Sequence, residues 1–347
     1  MKILLITDQH FGVRNDNLAY IEMYRQFYTE LVLPYIKNSG IDTIICLGDT
    51  FDKRKSINFN SLEAAKEMWF TPLQKLGVKM HMLVGNHDIY YKNTLRINAP
   101  RELLGEYDNI VIHDTASTVR FGDFPILLLP WICDDNRERT MESIADSNAS
   151  VCMGHLELDG FEAHPGCFMK GGQDANMFSK FKKVFSGHFH MKSIKKNINY
   201  LGNPYQLYWN DYGCKRGFHV FDTDSLKTTF YRNPHDMFRK IYYNEGEVRK
   251  DKEESVKGKY VKLIVEKKDN HAAFDQYLRS VQDEQPADLN IIENLSVDIE
   301  DGIDVVETED TLTMLETYID EAKGSIKGDT ESIKRLVKSL YIEACEI

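Results

Sequence analysis

Five short polar clusters punctuate the first 190 residues of this 347-residue chain: Asp8-Gln9-His10, Gly48-Asp49-Thr50-Phe51-Asp52, Gly85-Asn86-His87-Asp88, Gly154-His155 and Gly187-His188-Phe189-His190. Each alone is a weak signal, because a lone D-x-H or G-H arises by chance in many proteins. In series they supply carboxylate, imidazole and amide-carbonyl donors in the mixture that two hard or borderline divalent cations need. A ligand shared by both ions must carry charge for both, which makes Asp49 the natural bridge. Asp8, His10 and His190 could complete one site, and Asn86, His155 and His188 the other. No cysteine belongs to the clusters, so manganese, iron or zinc in a nitrogen and oxygen site is expected, and iron–sulfur chemistry is not. Two such ions about 3.5–4 Å apart can activate a water and orient the group it attacks. His87 adjoins Asn86 but lies outside both ligand sets. It is the expected general acid for the leaving oxygen, with Asp88 orienting its imidazole.

Side chains this far apart in sequence need rigid elements to gather them. Short β-rich runs alternate with helical patterns, the signature of an α/β fold. Strands are predicted over 3–7, 43–47, 80–84, 110–112, 126–129, 150–153 and 184–186, and helices over 19–37, over 61–76 with a break near Pro72, and over 136–146. Each polar cluster falls just past a strand C-terminus, the edge where the loops of such sheets converge on a ligand. The two-residue spacing of Asp8 with His10, and of His188 with His190, lets each pair point the same way. The glycines at 48, 85, 154 and 187 permit tight or positive-φ turns.

A hydrophobic content of 42% with 28% charged residues describes an ordinary globular chain, and its apolar runs are far too short for a membrane span. The apolar N-terminal stretch is also too short for a signal peptide and reads as the first core strand of a cytoplasmic protein. Six scattered cysteines without a C-x-x-C pair point to reduced thiols. The net charge of −11 is unevenly spread: residues 281–347 hold 18 acidic and 5 basic residues, a net of −13, leaving +2 for residues 1–280. Two basic clusters, Lys53-Arg54-Lys55 and the run Lys180, Lys182, Lys183, Lys192, Lys195 and Lys196, are candidate phosphate contacts, the alternative being solvated loops. The sequence has no phosphate-binding G-x-x-x-x-G-K-[ST] loop, so any ATP hydrolysis must come from another protein.

The chain divides into a catalytic domain over 1–216, a small β-rich second domain over 217–297, an acidic linker over 298–310 and a helical tail over 311–347. The linker has seven acids and no base. Two amphipathic helices are expected in the tail. Leu312, Leu315, Ile319 and Ala322 share one face of the first, and Ile333, Leu336, Val337, Leu340, Tyr341 and Ala344 one face of the second. Such short helices either fold back on their own domain or dock in a partner's groove.

The five clusters resemble those of the calcineurin-like metallophosphoesterase superfamily. The resemblance implies a β-sandwich flanked by helices, with a dinuclear metal site at one sheet edge. Ile6-Thr7-Asp8-Gln9-His10-Phe11-Gly12, Gly48-Asp49-Thr50-Phe51-Asp52, Leu201-Gly202-Asn203-Pro204 and Lys215-Arg216-Gly217-Phe218 are similar to the SbcD type of DNA double-strand-break nuclease, in particular to its T-even phage recombination-endonuclease members. That likeness implies a small α+β capping domain that recognises DNA, and a manganese-dependent 3′→5′ exonuclease and endonuclease acting on double-stranded DNA ends. It also implies a homodimer, and C-terminal helices that bind an SMC-like ABC ATPase of the SbcC type. Archaeal and eukaryotic members carry histidine where this chain has Asp52, so that residue could orient substrate or act behind the ligands. The competing readings are a phosphoprotein or cyclic-nucleotide phosphoesterase of the same fold, and a non-catalytic DNA-binding scaffold for an ATPase.

Overall fold

The computed structural model describes residues 1–164 and 167–293 and, beyond them, Ile319, Thr330, Ile333, Lys334, Leu336 and Val337. Residues 1–293 form one compact unit and 294–347 another. Two six-stranded sheets make up most of the first unit. In the first sheet, Lys2–Ile6, Thr43–Cys46, Lys79–Leu83 and Ile110–His113 run parallel. Gly217–Asp222 and Thr228–Arg232 extend it antiparallel beyond Lys2–Ile6. The second sheet has a parallel centre of Phe124–Leu129, Val151–His155, Lys183–Gly187 and Ile198–Tyr200, with Ser117–Phe121 and Ser193–Lys195 as antiparallel edges.

Strand alternation produces three apolar layers. Ile3, Leu5, Ile45 and Leu47 meet Ile126, Leu128, Val151, Met153 and Phe185 between the sheets. Leu4, Ile6, Ile44, Met80 and Met82 face the helices that carry Phe27, Tyr28 and Trp69. Leu127, Cys152 and Val184 face Ile144, Phe178 and Phe181 on the far side. Strands covered on both faces have no solvent side, which is why they read as continuous apolar runs. This is the α/β sandwich flanked by helices that the sequence led one to expect.

The helix over Leu18–Ser39 changes to π geometry across Gln26–Val32, and the one over Phe59–Lys75 does so across Lys66–Phe70. Pro34 and Pro72 each follow such a segment by two residues. A proline ring clashes with the carbonyl four residues back, and the wider turn moves that carbonyl away, so the break expected near Pro72 is a π segment instead.

A four-stranded sheet over Phe238–Asn244, Glu247–Lys250, Tyr260–Lys267 and Asp288–Glu293 packs on the helix His271–Asp283 to give the small α+β domain. It begins later than the sequence reading placed it. Gly217–Asp222 and Thr228–Arg232 belong to the sandwich, because Phe218 and Val220 complete the helix-facing core and Phe221 the inter-sheet core. Among the described residues no helix is long and apolar enough to cross a membrane, and Cys46, Cys133, Cys152 and Cys214 are free thiols. Ile333, Leu336 and Val337 of the expected tail are helical. Leu340 and Tyr341 lie outside the described residues, as does the acidic linker.

Candidate metal centre

The loops after the first two parallel strands run together as an extension of the sheet. Asp8 N–H donates to the Gly48 carbonyl (3.0 Å), His10 N–H to that of Asp49 (3.1 Å) and Phe11 N–H to that of Thr50 (2.9 Å), and Asp52 N–H returns to that of Phe11 (3.1 Å). From below, the phenol of Tyr24 donates to the His10 carbonyl (2.8 Å) and that of Tyr205 to the Gln9 carbonyl (2.5 Å), while the Gln9 amide donates to Tyr28 Oη (2.5 Å). These tyrosines, two from a helix and Tyr205 from a loop, fix the D-x-H turn, a role that nothing in their spacing signalled.

Positive φ is carried chiefly by the site residues themselves: Asp8 (51°), His10 (47°), Asp49 (51°) and His188 (82°). Each such conformation costs about 1–3 kcal/mol and persists where surrounding structure imposes it. Of the preceding glycines only Gly48 has positive φ, at 101°. Gly85 is required by space instead, since a Cβ there would lie 2.2 Å from Asp49 Oδ1.

All seven expected donors converge. Asp8, His10 and His190 form one group and Asp49, His155 and His188 a second, with the potential ligand atoms of each group within 4.8 Å of one another. His10 Nε2 faces His190 Nε2 at 3.1 Å. Asn86 Oδ1 lies 2.9 Å from both His155 Nε2 and His188 Nδ1. Asp49 Oδ2 stands between the groups, 3.2 Å from His155 Nε2 and 3.9 Å from His10 Nε2, while its Oδ1 accepts the His87 N–H (2.8 Å). The Asp8 carboxylate accepts the His188 N–H (3.0 Å).

This donor set fits a pair of divalent ions. The His155 Nδ1–H donates to the Leu47 carbonyl (2.7 Å), which turns the other ring nitrogen toward two oxygens, Asn86 Oδ1 and Asp49 Oδ2. Acceptors that face one another in a buried space need a cation between them. The acid–base character agrees. Burial alone would lower the pKa of His10, but Asp52, Asp49 and Asp8 together outweigh it and push it up to about 9. At His155, burial is likewise outweighed by Asp49 and Asp8, again to about 9. Burial opposes ionisation of Asp49, yet His155, His87 and His10 hold it well below the usual carboxylate range. Burial raises Asp8, and Asp49 adds to the rise although His155 opposes it. The buried carboxylates thus favour positive charge at the imidazoles they face, the charge that divalent cations would bring.

Other expected residues are placed differently. The Asp88 carboxylate accepts backbone N–H groups of Thr50 (3.0 Å), Phe51 (3.1 Å) and Gly85 (2.9 Å), so it ties two loops together. The His87 imidazole is held instead by the Asp52 carbonyl, 2.7 Å from its Nδ1. The Asp88 carboxylate, expected to orient that ring, accepts these three main-chain groups on the loops that carry His87 and Asp52. The Asp52 carboxylate lies 3.2 Å from His10 Nδ1, behind the face that meets His190. Two neighbours went unnoticed in the sequence: Glu157, 3.5 Å from His188 Nε2, and Trp131, whose ring lies 5.0 Å from that of His188.

Lys53, Arg54 and Lys55 follow Asp52 at the rim of the centre, with Lys53 Nζ donating to Asn15 Oδ1 (2.6 Å). The longer lysine run is divided. Lys180, Lys182 and Lys183 precede or open the strand that His188 follows, and Lys195 pairs with Ile198, opposite Val184, so these and Lys196 lie toward the far end of the sheet. Lys192 alone of the six is at the His188 end, its Nζ 3.6 Å from the Phe230 ring centre. A linear run crossing a strand and a hairpin cannot keep its charges on one edge.

The calcineurin-like phosphoesterase model matches residues 1–192. Exonuclease subunit 1 of Enterobacteria phage T4 is 34% identical over 349 aligned residues, covering all of both chains. The SbcD component of nuclease SbcCD from Staphylococcus saprophyticus is 22% identical, covering 79% of this chain and 77% of its own. The DNA double-strand break repair protein Mre11 of Sulfurisphaera tokodaii is 26% identical over 56% of this chain and 50% of its own. With the clusters gathered at one edge of a helix-flanked sandwich, and with matches of this extent, the chain belongs to the calcineurin-like phosphoesterase family.

Proposed function

We propose that this chain is the metal-dependent nuclease subunit of a DNA recombination and double-strand-break repair complex, cleaving DNA as a 3′→5′ duplex exonuclease and an endonuclease. The observation that carries the reading is the placement of Asp49 Oδ2, 3.2 Å from His155 Nε2 in its own donor group and 3.9 Å from His10 Nε2 in the neighbouring one. Full-length similarity to a phage exonuclease subunit supports the substrate class. Asp8, His10 and His190 would hold one ion, Asn86, His155 and His188 the other, and Asp49 both, with manganese the ion best suited to this nitrogen and oxygen set. When bound, the two ions supply an activated water and neutralise charge on the scissile phosphate.

The remaining steps belong to the chain's own residues. With Nδ1 committed to the Asp52 carbonyl, His87 presents Nε2 as the atom that delivers a proton to the leaving oxygen. Asp88 keeps the Gly85 and Thr50 loops in register, so that His87 and Asn86 reach the centre together. Lys53, Arg54, Lys55 and Lys192 bind flanking phosphates. The C-terminal helices, including Ile333, Leu336 and Val337, dock on an SMC-like ATPase. Exposed Leu18 and Phe59, at the starts of the two long helices, serve a homodimer contact. The protein acts in the cytoplasm of a bacterium or phage-infected host.

The test is manganese-dependent digestion of end-labelled duplex DNA by wild-type and Asp49→Ala proteins, with and without the ATPase. Loss of shortening from the 3′ end in Asp49→Ala supports the proposal. Phosphate release from phosphopeptides without DNA cleavage would assign the site to a phosphatase instead, and DNA binding without cleavage would assign it to a scaffold.

A further inference from the structure

Two sequence motifs, Leu201-Gly202-Asn203-Pro204 and Lys215-Arg216-Gly217-Phe218, contribute nothing to the donor set, yet both fold against His190. Arg216 is 4% exposed. Its guanidinium donates from Nη1 to the main-chain carbonyl of His190 and from Nη2 to Asp211 Oδ1 (2.5 Å). Asp211, 3% exposed, receives on Oδ2 the N–H groups of Leu207 (2.7 Å) and Tyr208 (3.2 Å) and the side-chain amide of Asn203 (3.2 Å). Tyr208 lies nearly parallel to the His190 imidazole, with centroids 6.2 Å apart and planes at 12°. Gly202 closes the other side of the same carbonyl: its φ is +71°, and a Cβ there would come within 2.7 Å of the His190 oxygen. Fixing a carbonyl fixes its peptide plane, and so narrows the direction in which the imidazole leaves the chain.

We propose that Arg216 and Asp211 are positioning residues for His190, and that their buried ion pair sets the orientation of this imidazole in the two-ion centre. The inference rests on the two-metal reading above. A buried ion pair is weak evidence for stabilisation, because apolar replacements of similar volume are often neutral or better. Here both partners reach His190, Arg216 through its carbonyl and Asp211 through the backbone of the tyrosine that flanks its ring. The same segment carries the entry to the four-stranded sheet. Asn233 N–H donates to the Arg216 carbonyl (2.7 Å), and Gln206 Oε1 accepts the N–H groups of Met237 (2.8 Å) and Phe238 (3.1 Å). The seating of the small domain is thereby connected to one ligand of the centre.

The experiment is a manganese titration of the full-length chain, followed by the electron paramagnetic resonance signal of free Mn2+, for wild type, Arg216→Lys, Asp211→Asn and Asn203→Ala. Wild type is expected to take two ions. Arg216→Lys keeps the charge but loses the planar fork. It should weaken one of the two ions by about 10–100-fold, the usual effect of removing a group behind a metal ligand, and leave the other within a few-fold. Its kcat on a phosphodiester should fall while KM holds. Folded variants that bind both ions with wild-type affinity overturn the proposal, whatever their melting temperatures. If Arg216→Lys and Asp211→Asn fail to fold, Asn203→Ala decides: it loosens Asp211 without removing a charge, and unchanged affinity for both ions overturns the idea. Two ions in wild type with none weakened in the variants defeats the positioning role alone, whereas no uptake by wild type defeats the two-metal reading and this inference with it.

Discussion

Two groups of buried histidines lie in the same sandwich with opposite acid–base character. His10 and His155, in the loops and strand ends of the centre, are pushed up to about 9. His81 and His113 face one another across adjacent strands with ring nitrogens 2.9 Å apart, and His219 packs against Phe230 with the rings tilted at 45°. Burial lowers all three of these, His81 to about 4 and His219 to about 3. Burial therefore cannot account for the difference, since it acts downward in both groups and the more deeply buried pair is the one raised. What differs is the carboxylate company: Asp8, Asp49 and Asp52 surround the first group, while the second has aromatic and lysine neighbours and only Asp114 acting on His113. A buried imidazole beside buried carboxylates is a cation site, and one beside apolar rings is a neutral part of the core.

The largest expected effect breaks the first group at its centre. Asp49→Ala should lower divalent-dependent cleavage of duplex DNA by about 10³-fold or more, since several kcal/mol of charge stabilisation depend on both ions. Its melting temperature should fall, because the His155 and His10 imidazoles lose the buried carboxylate that they hold ionised. His81→Phe in the same assay should leave turnover unchanged, and a comparable loss there would erase the distinction between the groups.

His87→Ala comes next. It should reduce turnover by about 10²-fold or more while elemental analysis still finds two ions per chain. Full turnover with both ions bound would remove His87 from the reaction.

Acid should act on the second group. The folded pKa of His81 lies near 4, below the ordinary 6.5, so the unfolded chain binds more protons between these values. The stability is therefore fully present above pH 6.5 and is lost as pH falls toward 4. For His81 this amounts to at most on the order of 3 kcal/mol. Urea unfolding followed by circular dichroism should show the decline, and His81→Phe should flatten it. A stability profile indifferent to pH across that window would contradict the neutral assignment.

The smallest effect concerns the rim. Neutralising Lys53, Arg54 and Lys55 should weaken DNA binding and reduce the slope of log K against log salt by about 0.9 per lost phosphate contact. Neutralising Lys180, Lys182 and Lys183 should leave the slope as it is. Equal slopes in both variants would mean that distance from the centre does not decide which lysines meet DNA.

Most of the parallel strands were legible in the sequence because burial on both faces leaves unbroken apolar runs, as in Ile3–Ile6 and Ile126–Leu129, whereas the short parallel strand Ile198–Tyr200, with a polar residue at its centre, was missed. Half-exposed edges such as Ser117–Phe121 and Glu247–Lys250 carry too few apolar residues to announce themselves. The seven donors were legible as glycine-flanked clusters past strand ends, and the structure gathers all of them. The supporting groups were not, because their partners are main-chain atoms. Asp88 caps three N–H groups, the Asp52 carbonyl holds His87, and Tyr24 and Tyr205 grip the D-x-H turn. A backbone partner has no side-chain signature at any fixed spacing. The second domain was placed too early because strands 217–222 and 228–232 read alike whether they open a new sheet or close an old one.

The central claim is that carboxylate company makes the first histidine group a two-ion centre and leaves the second a neutral part of the core. Anomalous diffraction at the manganese edge from a crystal soaked in Mn2+ tests it most directly. The account predicts two peaks flanking Asp49 Oδ2, one toward His10 and His190 and one toward His155 and His188, with none between His81 and His113. A single peak away from Asp49, or density at the His81 and His113 pair with none at the strand ends, would contradict it.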